Sequence, residues 1–339
     1  MLQDILSTLS SRYGDFFPGM KEPPRILSTS LEHRRLSDLA RVKLQLDGSS
    51  TEIFIKFHKH PHSSDARVRA KAEREFETLK WLCEAFAAVP GCSVVRPVAY
   101  LSDLKAVVTE MADGANLGRL LNRPFQSLLG LYRRREEGWC YRAGRWLRKF
   151  QTLTARSEKE RFASESFWRE VEELIGRCET LGFSHSLVER ISSQFRSDLD
   201  RAGEPELEVV GQHPDFQPQN VLVGSNGITV LDFTSFKYGN RYHDVASFLT
   251  FLDSRSKHPV FRNVRMEELQ KSFLQGYRLV SLDDPILRLY RVKGILNYCV
   301  SFLSRLPSSV SLRPVIRKVF LNWAEKKLCY VLGPVGNLN

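Results

Sequence analysis

A short segment in the second half of the chain combines residues that could transfer a phosphoryl group. His213, Asp215 and Asn220 form the pattern His-x-Asp-x-x-x-x-Asn, and Asp232 follows after a predicted hairpin. Phosphoryl transfer to an alcohol needs a carboxylate that accepts the hydroxyl proton and oxygen ligands that hold magnesium. Asp215 suits the first role. Asn220 and Asp232 suit the second, because Mg²⁺ prefers hard oxygen ligands and the hairpin returns both residues to one end.

Two charged residues earlier in the chain occupy positions where apolar neighbours would bury them. Lys56 interrupts the apolar strand 53–57, and Glu75 borders the apolar stripe of a predicted helix over 66–89. An unpaired buried charge is costly, so each residue needs a partner, and Lys56 is the obvious partner for Glu75. The plainer alternative is a structural ion pair, or two side chains that reach solvent. Together with the later motif, the pair favours a functional site.

The elements around these residues change in character near residue 112. Apolar alternation before that point predicts strands and one long helix, whereas helical spacing dominates after it. We therefore predict a small lobe of sheet and helix, residues 1–112, and a larger and mainly helical lobe, residues 113–339. The predicted strands are 39–46, 52–57, 94–100, 106–111, 221–223 and 228–231, with Asp47–Ser50 as the first turn.

Length and composition narrow the classes of protein. The chain has 339 residues, of which 42% are hydrophobic and 26% charged, which is typical of a folded globular protein of two lobes. No apolar run reaches the roughly 18 to 20 residues of a membrane span, and the N-terminus has no secretory pattern. The six scattered cysteines predict free thiols in the cytoplasm. The net charge of +11 favours anionic partners.

Taken together, the motifs resemble the aminoglycoside phosphotransferase and choline kinase-like family, which comprises small-molecule relatives of protein kinases. The resemblance runs from about residue 26 to residue 251 and follows the order of the family. Its specific signals are the 213–220 loop and Leu231-Asp232-Phe233, and the other segments are weak singly. In chain order the segments are strand Lys56, helix Glu75, the hinge 107–114, the helix 144–150, the 213–220 loop, 231–233 and 238–246.

The resemblance implies an α+β protein-kinase-like fold, with a small antiparallel-sheet N-lobe and a larger helical C-lobe. It implies ATP and Mg²⁺ as cofactors, with GTP left open. Asp215 would be the catalytic base, and Asp244 would brace the catalytic loop, with a helix N-cap as its alternative role. The implied cofactor-binding residues are Lys56, Glu75 and the hinge residues Glu110, Met111 and Ala112, the metal ligands are Asn220 and Asp232, and the supporting residues are His213 and Asp244.

Several residues depart from the family pattern. No glycine lies between Ser28 and Ser37, where the family has a glycine-containing phosphate loop, and Pro214 stands where glycine is common. These departures support an alternative, a catalytically weak pseudokinase that binds a nucleotide or scaffolds a partner. Asp232-Phe233-Thr234 lacks the glycine of protein kinases, so a protein kinase ranks last.

The acceptor is the least determined part of the prediction. Acidic residues such as Asp253 are sparse in the aromatic- and arginine-rich helices of the second lobe, which include Arg291. We therefore expect a neutral or anionic hydroxyl compound, such as a sugar, a lipid-linked saccharide or a phosphorylated intermediate, over a cationic aminoglycoside. An aminoglycoside-like acceptor stays open. The basic run 133–135 leaves peripheral membrane contact open, although a solvated helix face is the plainer interpretation. Nucleic-acid motifs are missing from the sequence, and the oligomeric state stays open.

Overall fold

The chain forms two compact units in a computed structural model. The structure describes residues 2–34, 36–46, 49–59, 63–122, 133–256, 263–279, 282–306 and 313–333. The first unit comprises residues 1–117 and 220–236, and the second comprises residues 118–219 and 237–339. The predicted turn at Asp47-Gly48 and the side chains of Arg133 and Arg134 lie outside the described part.

Strands dominate the first half of the chain and helices the second. Through residue 121 the elements are α1 (Leu2–Ser11), α2 (Tyr13–Phe16), β1 (Arg25–His33), β2 (Ser37–Leu46), β3 (Ser49–His58), α3 (Asp65–Phe86), β4 (Cys92–Val94), β5 (Pro97–Leu101), β6 (Ala106–Glu110), β7 (Ala115–Asn116) and α4 (Leu117–Leu121). Thereafter they are α5 (Arg133–Leu153), β8 (Lys159–Arg161), α6 (Ser164–Thr180), α7 (His185–Ala202), β9 (Glu206–Gln212), β10 (Val221–Gly224), β11 (Gly227–Val230), β12 (Lys237–Asn240), α8 (Tyr242–Arg255), α9 (Asn263–Tyr277), α10 (Pro285–Ser304) and α11 (Arg313–Leu332).

The first unit is built on an antiparallel sheet with the strand order β1-β2-β3-β6-β5. Alternation along β3 buries Ile53, Ile55 and Phe57, which pack with Ile5 and Leu9 of α1. Lys56 alternates with these residues along β3, so its side chain lies on the opposite face of the strand. Helix α3 contacts β4, β5, β6 and β3. The predicted α+β class is confirmed.

A second sheet of the first unit has the order β4-β11-β10-β7. Strand β11 pairs with β4 in parallel, and β10 pairs with β11 and β7 antiparallel. The predicted strand 94–100 was wrong as a single element, because residues 92–94 belong to this sheet whereas 97–101 join the first one. Pro97 is the first residue of β5, and it lacks the N–H that a continuous ladder would require.

The second unit is mainly helical, with a small sheet of order β12-β9-β8. Helices α5 and α9 pack very closely because Gly144 lies against the backbone of Phe273, and Gly276 against that of Tyr141. A side chain at either glycine would collide with the facing backbone. This crossing borders an aromatic core of stacked and tilted rings, which are Trp146, Phe150, Phe216, Phe248 and Phe273.

Two features of composition can be compared directly with the structure. All six cysteines are free thiols, as the sequence predicted, and Cys92, Cys140, Cys178 and Cys299 are buried. Within the described residues, no helix combines the length and the apolar character that crossing a membrane would require.

Candidate active site

Lys56 lies at the centre of a polar cluster in the first unit. Its Nζ atom is 3.1 Å from Glu75 Oε1 and 2.7 Å from Asp232 Oδ1, and it also donates to Thr234 Oγ1. An ammonium group has three N–H donors, and these contacts account for all of them. Burial alone lowers the pKa of Lys56, but the charges of Glu75 and Asp232 outweigh it and hold the pKa above its ordinary value.

Glu75 is the buried carboxylate of this cluster, with only 3% of its side chain exposed. Helix α3 directs it inward among apolar neighbours, as its helical spacing predicted. Its second oxygen, Oε2, accepts from Thr234 Oγ1 at 2.7 Å and lies 2.8 Å from His58 Nε2. Burial raises the pKa of Glu75, yet Lys56 and His58 together hold it below the ordinary value. The carboxylate is therefore charged and firmly placed.

Asp232 lies two residues after the end of strand β11 and adopts a left-handed backbone conformation, with a φ of 65°. Such a conformation is uncommon for residues other than glycine, although aspartate tolerates it, and it is enriched at functional sites. The buried ring of Phe233 anchors the next position. The Asp232 side chain is 41% exposed, so its carboxylate faces both Lys56 and solvent.

Asn220 and Asp232 occupy the same end of the β10–β11 hairpin. Val221 pairs with Val230, and the Leu231 N–H donates to the Asn220 carbonyl at 2.9 Å. The hairpin register thus places two residues with oxygen-bearing side chains, twelve positions apart in sequence, at one end of the hairpin. Carboxylate and amide oxygens are a donor set that fits Mg²⁺. Among the described residues, no group of three or more His, Cys, Asp or Glu could hold a metal ion.

The predicted hinge comprises the end of β6, an inner strand of the first sheet, and the residues that follow it. The Glu110 N–H donates to the Arg96 carbonyl at 2.9 Å, and the Met111 N–H donates to the Glu52 carbonyl at 2.8 Å. Within the described part of the chain, the Ala112 N–H makes no hydrogen bond. The N–H groups of Glu110 and Met111 are therefore already hydrogen-bonded within the first unit, whereas the N–H of Ala112 is available to donate.

Asp215 lies in a tight turn of the second unit. The Phe216 N–H donates to the His213 carbonyl at 2.7 Å, which closes a β-turn with Pro214 at its second position. Proline favours this position because its fixed φ matches the turn, so Pro214 suits the loop without glycine. Asp215 is exposed, whereas Phe216 is fully buried and stacks on Trp146. The buried ring fixes the residue next to the candidate base.

Asp244 braces this loop from helix α8. Its Oδ2 accepts from the His213 N–H at 2.9 Å, and the side chain is completely buried. Helix α8 begins at Tyr242, so Asp244 lies in its first turn and is not the N-cap residue. Gln151 supports the same oxygen from helix α5 at 3.4 Å, and it accepts a hydrogen bond from Tyr277 OH.

The predicted site residues thus form two groups, one in each unit. The first unit brings Lys56 and Glu75 together with Asp232, and the second unit joins His213 to Asp244. Three further residues, His58, Thr234 and Gln151, contact these groups, although the sequence assigned them no role. His58 and Thr234 become members through contacts that are distant in sequence.

Two charged residues in the helices of the second unit, Asp253 and Arg291, are buried. Arg291 forms an ion pair with Asp253 at 3.0 Å. Lys327 Nζ is also 3.0 Å from Asp253 Oδ1, and Gln270 donates to the same oxygen at 2.7 Å. Burial raises the pKa of Asp253, but the two cations outweigh it and hold the pKa below its ordinary value.

A family comparison agrees with this geometry. A model of the phosphotransferase enzyme family matches residues 38–283. The chain belongs to this family. The match spans Lys56, Glu75, Asp215, Asn220 and Asp232, so all the principal candidate residues of this phosphotransferase fall within it. No protein with curated annotation matches the sequence.

Solved structures show the same fold at low sequence identity. The choline kinase of Cryptosporidium parvum has a TM-score of 0.55 at 13% identity, over 98% of this chain and 94% of that one. The choline kinase of Streptococcus pneumoniae has a TM-score of 0.54 at 14% identity, over 97% and 99%. An aminoglycoside phosphotransferase in a ternary complex with streptomycin and ATP has a TM-score of 0.51 at 14% identity, over 95% and 96%.

Proposed function

We propose that this chain is an ATP- and Mg²⁺-dependent phosphotransferase that phosphorylates a hydroxyl group of a small molecule. The observation that carries the proposal is the contact of Lys56 with both Glu75 and Asp232, in a member of the phosphotransferase family. Kinases need a lysine held by a helix glutamate and an aspartate that binds the metal. Both partners of Lys56 are in place here.

The nucleotide would use residues of the first unit. Lys56 carries a positive charge that the buried Glu75 holds in position, and it would pair with the phosphates of ATP or GTP. The Ala112 N–H would donate to the base, since the amides of Glu110 and Met111 already serve the sheet. The exposed strand β1 and its turn contain no glycine. Phosphate contacts there would come from side chains such as Ser37.

Asn220 and Asp232 would hold Mg²⁺, and their oxygens fit that ion. The bound ion would neutralise charge on the phosphates. In the structure, Asp232 forms an ion pair with Lys56, with 2.7 Å between Oδ1 and Nζ. Binding of the metalated nucleotide would therefore require Asp232 to exchange part of this ion pair, while Glu75 keeps Lys56 in place through its own contact.

Asp215 would accept the proton of the acceptor hydroxyl and orient its oxygen toward the phosphate. Its exposure leaves the carboxylate accessible to a substrate. Its backbone is held on both sides, because Phe216 is anchored in the aromatic core and His213 is bonded to Asp244. Correct positioning of this kind supplies much of the rate enhancement in phosphoryl transfer.

The acceptor would be a neutral or anionic hydroxyl compound. The net charge of +11 supports this class, and burial of Asp253 in its ion network removes one of the few acidic candidates for binding a cation. The related structures concern choline and aminoglycoside kinases, and at 13–14% identity they share only the fold with this chain. Sugars and lipid-linked saccharides are the first compounds to test, in a reaction that the cytoplasm would supply with ATP.

The decisive experiment is calorimetric titration of ATP, with and without Mg²⁺, into the wild-type chain and the Asp232→Ala variant. We expect tight binding to require both Mg²⁺ and Asp232. Asp103→Ala is the matched control, because Asp103 is an exposed residue of the same unit outside the cluster. Equal binding by wild type and Asp232→Ala would contradict the metal assignment. A screen of hydroxyl metabolites for ATP consumption then identifies the acceptor.

A pseudokinase is the second candidate, and the glycine-free β1–β2 turn favours it. Such a protein would bind a nucleotide without turnover. Slow ATP hydrolysis that disappears in Asp232→Ala would exclude it, because a binding module has no use for a metal-dependent hydrolytic step. Nucleotide binding with no hydrolysis and no active acceptor would instead support it.

A further inference from the structure

The hydroxyl group of Thr234 connects every charged member of the first-unit cluster. Thr234 Oγ1 lies 2.7 Å from Glu75 Oε2 and 2.6 Å from Asp232 Oδ1, and it accepts a hydrogen bond from Lys56. No other described side chain contacts all three of these groups. Thr234 is partly buried and directly follows the fully buried Phe233, which fixes its backbone.

The hydroxyl proton of Thr234 has two possible acceptors, the carboxylates of Glu75 and Asp232. A threonine hydroxyl donates one hydrogen bond and can accept others, so Thr234 serves either Glu75 or Asp232 at any moment. Glu75 Oε2 also lies 2.8 Å from His58 Nε2, so a second polar group faces this carboxylate oxygen. Asp232 is the more exposed carboxylate of the two, and Thr234 ties it to the buried pair.

We propose that Thr234 is a positioning residue that holds Asp232 ready for Mg²⁺ and thereby sets how strongly nucleotide binding depends on the metal. This inference rests on the proposed function. A partly exposed carboxylate that is tethered before the ligand arrives loses less conformational freedom on binding. When Asp232 turns to the metal, the Thr234 proton retains an acceptor in Glu75, so neither group is left unpaired.

The position makes this role specific to the side chain. Protein kinases have glycine at the corresponding position of Asp-Phe-Gly, and glycine offers no hydroxyl group. Here the Asp-Phe-Thr sequence adds a hydroxyl two residues after the metal-binding aspartate. The contact between Thr234 and Asp232 is local, whereas the contact with Glu75 joins the segment after β11 to helix α3.

The test measures ATP affinity by calorimetry with and without Mg²⁺ in wild type, Thr234→Val and Thr234→Ser. The quantity of interest is the gain in affinity that Mg²⁺ produces. We expect Thr234→Val to reduce this gain about tenfold, which is typical of a lost hydrogen bond to a charged group. Thr234→Ser keeps the hydroxyl and should retain the wild-type gain. Thr229→Val is the matched control, since Thr229 lies on β11 and its hydroxyl bonds Ser93 of β4, outside the cluster.

The outcomes separate positioning from stability. A lower melting temperature for Thr234→Val with an unchanged Mg²⁺ gain would overturn the inference, because a purely structural hydroxyl predicts that result. Equal losses in Thr234→Ser and Thr234→Val would also overturn it, and Thr234→Ser remains informative even if the valine variant unfolds. Failure of wild type to bind ATP under any condition would contradict the proposed function and this inference with it.

Discussion

Lys56 Nζ lies 2.7 Å from Asp232 Oδ1, although 176 residues separate them in the chain. The contact arises because the β10–β11 hairpin belongs to the first unit, where β11 pairs with β4. A lysine on one sheet and an aspartate after a strand of another thus share one charge cluster. Glu75 completes the cluster from helix α3.

Asp215→Asn should lower kcat by about 10²- to 10⁴-fold, as loss of a general base commonly does. MgATP affinity should stay unchanged, because the proposed nucleotide-binding residues belong to the first unit, whereas Asp215 belongs to the second. Turnover of the acceptor found in the metabolite screen, together with calorimetry, measures both quantities. Asp200→Asn, an exposed substitution on α7, is the control. Wild-type turnover by Asp215→Asn would remove Asp215 from the reaction.

Lys56→Met should destabilise the protein at neutral pH by about 3 kcal/mol, because it leaves the buried Glu75 without its main charge partner. The folded-state pKa of Glu75 lies below the ordinary value in the wild type, so its ion pair stabilises at neutral pH and is lost as the pH falls through that pKa. Lys56→Met removes this pairing, so the pKa of Glu75 should rise in the variant. The destabilisation should therefore shrink toward about pH 5.

Urea unfolding at the two pH values measures this difference. Lys80→Met, on the exposed side of α3, should leave the free energy of unfolding unchanged within about 0.5 kcal/mol. A loss of stability in Lys56→Met that does not vary with pH would refute the ion-pair explanation.

Asp253→Asn should be among the most destabilising substitutions in the second unit, at about 3–5 kcal/mol, since Arg291 and Lys327 would stay buried without a counter-charge. The wild-type pKa of Asp253 is depressed, so its contribution is present at neutral pH and is lost in acid as the pH falls through the folded-state pKa. Acid titration followed by circular dichroism should give a flatter curve for the variant. A curve parallel to that of wild type would contradict the assignment.

Asp244→Ala should lower kcat by about 10- to 100-fold through a displaced catalytic loop, with little change in the KM for ATP. Asp244→Asn keeps an oxygen that accepts from the His213 N–H, so it should retain more activity than the alanine variant. Hydrogen exchange at the His213 amide provides a readout that is independent of activity. Protection equal to that of wild type in Asp244→Ala would show that another group holds the loop.

Much of the site could be inferred from residue types and spacing. Lys56 is recognisable because it is a charged residue within an apolar strand. Glu75 is recognisable because it lies beside the apolar stripe of a predicted helix. The hairpin between Asn220 and Asp232 is visible from its turn and its apolar runs, and the structure has that register. These signals are local, so a single sequence contains them.

Other strands have no local sequence pattern from which they could be predicted. Strand β1 is exposed along its whole length, so it shows no apolar alternation, and β8 and β12 are only three and four residues long. The predicted strand 94–100 divides between two sheets, because β4 and β5 have different pairing partners. Pairing partners determine these elements, and partners lie far away in sequence.

The family, the α+β class and the candidate chemistry of Lys56, Asp215 and Asp232 could therefore be predicted from the sequence by itself. Strand alternation, helical periodicity and motif spacing are properties of neighbouring residues, so a single sequence contains them. The roles of Thr234, His58 and Gln151, and the burial of Asp253, emerged only in three dimensions. A hydroxyl, imidazole or amide acquires its function from the charge it touches, and folding brings that charge from another part of the chain.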